Sequence, residues 1–272
     1  MIAPRRLVLL GHPVSHSLSP AIQNAALRAA GLHVRYEAID VTAHDLRAEL
    51  SRLASQEAGG NITVPHKMLA SECMGAHTSQ ALEVGAINTF GPDGSGQLVG
   101  HNTDVEGFDA LARSVGAGGS GISVSIIGAG GGAAAVLSAI RRWRGARAEV
   151  FARNQKRAAA LAMRFSDVAS VAAAPAGEGV SGDLVVNATP VGLTDESLPI
   201  ALDTILPHAI VLDLAYRPGE TAWVRAARAR GHVAADGITM LVEQAAAAFE
   251  WWFQMEPDRD EMWQAVRQSL PS

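Results

Sequence analysis

The chain has 272 residues, 48% of them hydrophobic and 18% charged, which suits one large domain or two ordinary ones and excludes general disorder. Its 22 basic and 27 acidic residues give a net charge of −5 with no long block of either sign, so no nucleic-acid partner is expected and an anionic ligand must be caught by local groups. The single cysteine, Cys73, excludes a disulfide framework and a cysteine-rich zinc site, and no apolar stretch reaches the ~20 residues of a membrane span, so a cytoplasmic protein is expected.

Residues 6–10 read as a buried strand ending at Gly11-His12-Pro13, an apolar run too short for a secretory signal. A helix is predicted over 20–30, with Ser19 as N-cap, Pro20 at the first helical position and Gly31 just past the end. A strand at 34–39 follows, then a helix opening at Thr42 with Asp45 three residues on. Residues 61–64 form a short third strand bounded by Gly59-Gly60 and Pro65, and two more short strands lie at 87–90 and 97–99 around a turn-rich stretch. This alternation predicts a parallel or mixed α/β sheet. A glycine-rich connection at 116–121 leads to a strand at 123–127, which runs into a second glycine cluster and an alanine-rich helix. Strands are further expected at 148–152, 183–187 and 210–214, a long helix at 238–253 and, after Pro257, a last helix at 258–269.

The cluster Gly128-Ala129-Gly130-Gly131-Gly132-Ala133 matches the dinucleotide pattern G-x-G-x-x-G/A. Its place between an apolar strand and a helix gives the match meaning, since glycines admit a pyrophosphate close to the backbone and the helix start offers N–H groups to it. The competing reading is a tight strand-to-helix turn without a ligand. An NAD site usually carries an acidic residue at the end of the next strand. Here that strand ends in Ala152-Arg153-Asn154, with Lys156 and Arg157 close behind and Glu149 at the wrong end. A planar cation suits a 2′-phosphate, so NADP is favoured over NAD, against the plainer reading of a solvated basic loop.

Two further segments carry chemistry. Lys67 stands just after a strand and a proline, and a cation in a helix's first turn opposes the dipole, a placement suited to a group that exchanges a proton. Asp104 lies at a helix start where Thr103 and Glu106 have capping-box spacing. Each has a bland account when taken alone, as a surface lysine and as a favourable first-turn acid. His12 and His16 are four apart, but Pro13 denies them a helical face, and no metal is expected.

The whole set resembles the shikimate dehydrogenase family, which includes quinate-using members, over nearly the entire chain. Ser17-Leu18-Ser19-Pro20 is similar to the family's SxSP loop, 61–67 to its NVTxPxK segment, Gly85-Ala86-Ile87-Asn88-Thr89 to its GAVNT segment and Asn102-Thr103-Asp104 to its NTD. Asn187-Ala188-Thr189-Pro190, the stretch from Asp213 through Tyr216 to Pro218, and 236–244 (DGITMLVEQ) continue the match. The resemblance implies two α/β domains: a discontinuous substrate domain, residues 1–103 with 238–272, and a Rossmann-type NADP-binding domain with a parallel sheet, residues 104–237. It implies Lys67 and Asp104 as the proton-transfer pair, with Ser17, Ser19 and Thr63 holding a substrate carboxylate. Asn88, Gln244 and Tyr216 would contact the rest of the substrate. Gly128, Ala129, Gly130, Gly131, Gly132, Ala133, Arg153, Asn154, Asn187, Ala188, Thr189 and Gly237 would hold the dinucleotide. The implied activity is the reversible NADP-dependent reduction of 3-dehydroshikimate to shikimate. A quinate or aminoshikimate dehydrogenase using NAD, and a catalytically idle NADP sensor, stay open as alternatives. The family pattern allows a monomer or a homodimer. The chain departs from it at His101 and Val105, often Asp and Gly, and at Ala152, commonly Asn.

Overall fold

The computed structural model describes residues 2–172 and 179–270 and divides into two compact units. The first comprises the residues up to Asp104 and those from Leu241 onward, the second Val105–Met240. Among the described residues no helix is long and apolar enough to cross a membrane.

The first unit contains β1 (Arg6–Gly11), α1 (Ser19–Ala29), β2 (Tyr36–Asp40), α2 (Leu46–Ser55), β3 (Ala58–Ile62), α3 (Lys67–Cys73), β4 (Ala76–His77), α4 (Ser79–Val84), β5 (Thr89–Pro92) and β6 (Leu98–His101). Its six-stranded sheet has the order β2-β1-β3-β5-β6-β4. β1 pairs in parallel with β2 and β3, while β5 runs antiparallel to both β3 and β6, so the sheet is mixed. Leu7, Val8, Leu9 and Leu10 are all buried because both faces of this interior strand are covered, which is why β1 reads as an unbroken apolar run. One core cluster joins Val8, Leu10, Ile62, Ile87 and Phe90 of the sheet region to Leu46, Leu50 and Leu53 of α2.

The second unit follows through α5 (Asp104–Ser114), β7 (Ser123–Ile127), α6 (Gly131–Ile140), β8 (Arg147–Phe151), α7 (Gln155–Arg164), β9 (Ala169–Val171), β10 (Leu184–Asn187), β11 (Ile210–Asp213), α8 (Ala222–Ala229) and β12 (Ala234–Ala235). Its six-stranded sheet is parallel throughout, ordered β12-β11-β10-β7-β8-β9. Renumbered from β7, this is the doubly wound order 3-2-1-4-5-6, whose switch point falls between β7 and β10. α9 (Ile238–Phe253) opens in this unit and, from Leu241 on, belongs to the first, as does α10 (Arg259–Ser269). In the first unit, Gln23 of α1 donates to the Ala245 carbonyl of α9 at 2.9 Å, and Trp252 donates its indole N–H to the Phe90 carbonyl at 2.9 Å.

Several local expectations are corrected. Ser19 is the first residue of α1 rather than its cap; Leu18 occupies the cap position, and the Ser19 N–H is taken by Ser17 Oγ at 3.2 Å. α2 starts at Leu46, four residues after Thr42, because the Thr42 hydroxyl bonds the Asp45 carboxylate at 2.7 Å in a turn ahead of the helix. Gly59 and Gly60 lie inside β3 instead of bounding it. A Cβ at Gly60 would fall 2.1 Å from the Val8 carbonyl oxygen, so the glycine serves close strand approach rather than a turn. The short α4, capped by Thr78 and ended by Gly85 at φ 71°, carries no periodicity long enough to read from sequence.

Candidate active site

Three short segments of the first unit bring one group of side chains together. Lys67 is the first residue of α3, Asn88 immediately precedes β5, and Asp104 follows β6 by three residues. Lys67 Nζ donates to Asp104 Oδ2 at 2.6 Å; the aspartate side chain is 3% exposed and the lysine side chain 21%. The ammonium therefore keeps access to solvent while its anion does not. Asn88 Nδ2 donates to the other oxygen, Asp104 Oδ1, at 2.9 Å and lies 3.2 Å from Gln244 Oε1 of α9. Gln244 in turn donates to the Leu241 carbonyl at 2.9 Å. An ammonium, a carboxylate and two amides thus converge, a set able to hold hydroxyls and to move a proton at one of them.

Polar residues outside the proposed substrate and proton-transfer set hold this group in place. Asn102 donates to the Ala86 carbonyl at 2.9 Å and accepts the Asp104 N–H at 3.1 Å, which fixes the start of α5. Thr103 gives its N–H to Asn88 Oδ1 at 2.7 Å, and its hydroxyl lies 3.0 Å from Thr89 Oγ1. Asn61, on β3, reaches the Asn88 carbonyl and Thr89 Oγ1. All of these side chains are buried. Their available signal in the sequence is a polar residue inside a strand or beside one, which must find partners if buried. His101, at the end of β6, is stacked on Trp251 with ring centroids 5.0 Å apart, and burial pushes its imidazole down to about 4, so the ring is neutral near pH 7.

The proposed carboxylate-holding hydroxyls lie on neighbouring loops of the same unit. Ser17 Oγ donates to Ser19 Oγ at 3.2 Å in the loop after β1. Thr63 follows β3 and gives its N–H to the Leu10 carbonyl at 2.8 Å. A Cβ on Gly11 would fall 2.4 Å from Thr63 Cγ2, so glycine at the end of β1 lets these two segments approach. Tyr216 is half-buried in the second unit, three residues beyond β11.

In the second unit the glycine cluster stands at the switch point. Gly128 follows β7 at φ 120°, its N–H bonded to the Phe151 carbonyl at 2.7 Å, and a Cβ there would meet the Ala188 carbonyl oxygen at 2.8 Å. Gly130 caps α6 without any side-chain bond, and a Cβ at Gly130 would meet nothing within 4 Å. The first-turn N–H groups of α6 therefore face a space that no capping side chain fills, a fit for a pyrophosphate. Gly132 packs against Leu214, where a Cβ would come to 3.3 Å of Cδ1. Ala129, Gly131 and Ala133 complete the turn, Ala133 fully buried. Arg153, two residues beyond Phe151, is exposed together with Lys156 and Arg157, and none of the three pairs with a carboxylate among the described residues. By contrast Arg141, Arg142, Arg225 and Arg228 of this unit are all ion-paired. An unneutralised cation group beside the glycine turn fits the 2′-phosphate of NADP. Asn154 is the N-cap of α7 and accepts the Arg157 N–H at 3.1 Å, so its Oδ1 is committed to the helix.

Beside this turn, Asn187 accepts the Thr189 N–H at 3.0 Å and donates to Asp213 at 2.8 Å, which shapes the loop carrying Ala188 and Thr189. Asp213 is fully buried; desolvation pushes its carboxyl up to about 6, against hydrogen bonds from Thr221, Ala215 and Asn187 that favour the anion. A Cβ on Gly237 would fall 2.3 Å from the Leu214 carbonyl oxygen, so this position, too, requires glycine. Among the described residues no group of three or more His, Cys, Asp or Glu is placed to hold a metal ion.

Comparison with known proteins places this geometry in a family. Residues 9–90 match the shikimate dehydrogenase substrate binding domain, and residues 237–267 the shikimate 5′-dehydrogenase C-terminal domain. The chain is 38% identical to a shikimate dehydrogenase (NADP(+)) of Symbiobacterium thermophilum, over 92% of this chain and 89% of the relative. It is 40% identical to that of Methylocella silvestris, over 94% and 92%. A crystal structure of shikimate 5-dehydrogenase from Thermus thermophilus in complex with NADP(H) and shikimate superposes with a TM-score of 0.87 at 36% identity, covering 99% of this chain and 100% of that one. The chain belongs to the shikimate dehydrogenase family.

Proposed function

We propose that this protein catalyses the reversible, NADP-dependent reduction of 3-dehydroshikimate to shikimate, a step toward chorismate and the aromatic amino acids, with Lys67 and Asp104 as the proton-transfer pair. The observation that carries this reading is the Lys67 ammonium 2.6 Å from a nearly buried carboxylate, with Asn88 on the opposite carboxylate oxygen. The first unit takes the substrate and the second the dinucleotide.

NADPH, when bound, supplies the hydride that adds to the substrate's carbonyl carbon. Lys67 gives its proton to the carbonyl oxygen, and the amine left behind regains a proton from solvent through its exposed side; in the oxidative direction the amine takes the hydroxyl proton. Asp104 holds the ammonium in place and accepts from the reacting hydroxyl. Asn88 and Gln244 orient the ring hydroxyls, and Tyr216 adds a further substrate contact. Ser17, Ser19 and Thr63 hold the substrate carboxylate with neutral donors, weaker than an arginine would be, which favours release of a metabolite. Gly128, Ala129, Gly130, Gly131, Gly132 and Ala133 receive the pyrophosphate and Arg153 the 2′-phosphate. Asn154 through Nδ2, with Asn187, Ala188, Thr189 and Gly237, completes that site.

A cytoplasmic location fits the single unpaired cysteine and the use of NADPH. The reading needs only small-molecule partners; light scattering decides between a monomer and a homodimer. The test is the rate of shikimate-dependent NADP+ reduction by purified protein, compared with quinate and with NAD+. Absence of turnover with shikimate and NADP+, or ligand binding without turnover, overturns the proposal.

A further inference from the structure

Resting on the Lys67–Asp104 reading above, we infer that Thr89, with Asn61 and Tyr36 behind it, is a positioning residue for the reaction: a buried relay that locks the Asn88 amide with its N–H groups toward Asp104. All of these residues lie in the first unit. None of the three belongs to the substrate or proton-transfer set.

Two backbone groups that cannot change role decide how the two amides of the relay, Asn61 and Asn88, are turned. The Asn88 carbonyl can only accept, and it accepts from Asn61 Nδ2 at 3.1 Å. That fixes the Asn61 amide, so its Oδ1 faces Tyr36, whose hydroxyl must donate across 2.8 Å. Tyr36 is 1% exposed, and burial pushes its phenol well above the usual range, so the donor stays protonated. The second Asn61 N–H goes to Thr89 Oγ1 at 2.9 Å. Thr89 therefore accepts on that side, and its one proton points onward, to Asn88 Oδ1 or Thr103 Oγ1, each 3.0 Å away.

The other fixed group is the Thr103 N–H, which can only donate and does so to Asn88 Oδ1 at 2.7 Å. The Thr103 N–H sits on the Asn88 oxygen, and the Thr89 proton reaches that oxygen directly or through the Thr103 hydroxyl 3.3 Å from it, so the Asn88 amide has its nitrogen toward Asp104 Oδ1, Gln244 Oε1 and Thr103 Oγ1. A flipped amide would set a carbonyl oxygen 2.9 Å from a carboxylate oxygen that water barely reaches. The Thr89 hydroxyl also polarises the Asn88 N–H groups, since linked hydrogen bonds in a low-dielectric interior strengthen one another.

Thr89→Val keeps the side-chain shape and removes the hydroxyl. We expect kcat to fall about tenfold, the equivalent of one buried hydrogen bond, while KM for shikimate changes less than about threefold because Thr89 does not touch substrate. Thr89→Ser, which restores the hydroxyl, brings kcat back to within about twofold. A Thr89→Val enzyme with unchanged kcat, or a Thr89→Ser enzyme as slow as the valine variant, overturns the relay. Should Thr89→Val not fold, Tyr36→Phe decides: kcat falls about threefold if the relay orients Asn88, and an unchanged kcat overturns it. Lys67→Met, run alongside, separates the two claims. Turnover surviving in Lys67→Met refutes the proton-transfer pair itself, whereas turnover lost there but intact in Thr89→Val refutes the relay alone.

Discussion

The substitution Asp104→Asn keeps the shape of the aspartate, removes its charge and leaves no place for the new amide hydrogens. Oδ2 receives Lys67 Nζ at 2.6 Å, and Oδ1 receives Asn88 Nδ2 at 2.9 Å. Whichever way the introduced amide turns, its N–H2 meets a donor. Water cannot take up the mismatch readily, since only 3% of the side chain is exposed. A buried donor left unpaired costs about 1–3 kcal/mol, which lowers Tm by roughly 2–5 °C in a chain of this size. Turnover falls further, because Lys67 loses the anion that aims it: a positioned proton donor is worth about 10²–10⁴ in rate. Lys67→Met removes the donor itself and is expected to cost as much. The two act as one unit, so the double variant is no slower than the worse single one. Initial rates of shikimate oxidation at saturating NADP+, with thermal melts of all three variants, provide the measurement. Aspartate and lysine effects that multiply in the double variant, or an Asp104→Asn enzyme within tenfold of the parent, would refute the paired mechanism.

Other expectations follow from the second unit and from backbone geometry. Arg153→Ala raises KM for NADP+ roughly 10- to 100-fold, the worth of a charged hydrogen bond, and leaves KM for NAD+ unchanged; an equal rise for both cofactors contradicts the 2′-phosphate assignment. Because Arg153, Lys156 and Arg157 are exposed, KM for NADP+ also rises with ionic strength, and a salt-independent KM contradicts their role. Gly128→Ala forces a side chain into φ 120° with its Cβ 2.8 Å from a carbonyl oxygen, so a loss of about 1–3 kcal/mol is expected in chemical denaturation, and an unshifted midpoint refutes the strain. Asp213 ionises near 6 in the folded chain and near 4 when unfolded, so its protonated form is favoured by folding. The contribution of Asp213 to stability is therefore fully present at low pH and declines as pH rises from about 4 to 6, by on the order of 3 kcal/mol; Asp236, also raised by burial, acts in the same direction. Asp213→Asn retains an acceptor for Asn187 and Ala215 and flattens that decline in denaturant titrations, whereas an unchanged slope excludes Asp213 as its source.

The α/β class, the long strands and helices, and the candidate chemical groups are legible in the amino-acid order alone. β7 and α9 are legible because each carries its own pattern: an apolar run before a glycine cluster, and a long apolar helix after Asp236-Gly237. What those groups meet depends on the folded chain. Lys67 and Asp104 are 37 residues apart, and Asn88 and Gln244 are 156 apart; only the pairing of β3, β5 and β6 and the return of α9 to the first unit bring them within hydrogen-bond reach. Burial is likewise a property of the whole: Asn61, Thr89 and Thr103 look like ordinary strand and turn residues until the sheet closes over them and obliges each to find a partner. The same holds for Gly60, which marks a turn by local chemistry but serves a strand, because the Val8 carbonyl that excludes any side chain there comes from a neighbour about fifty residues away. Local patterns act over a few residues, whereas contact, desolvation and steric exclusion depend on segments that only folding makes neighbours.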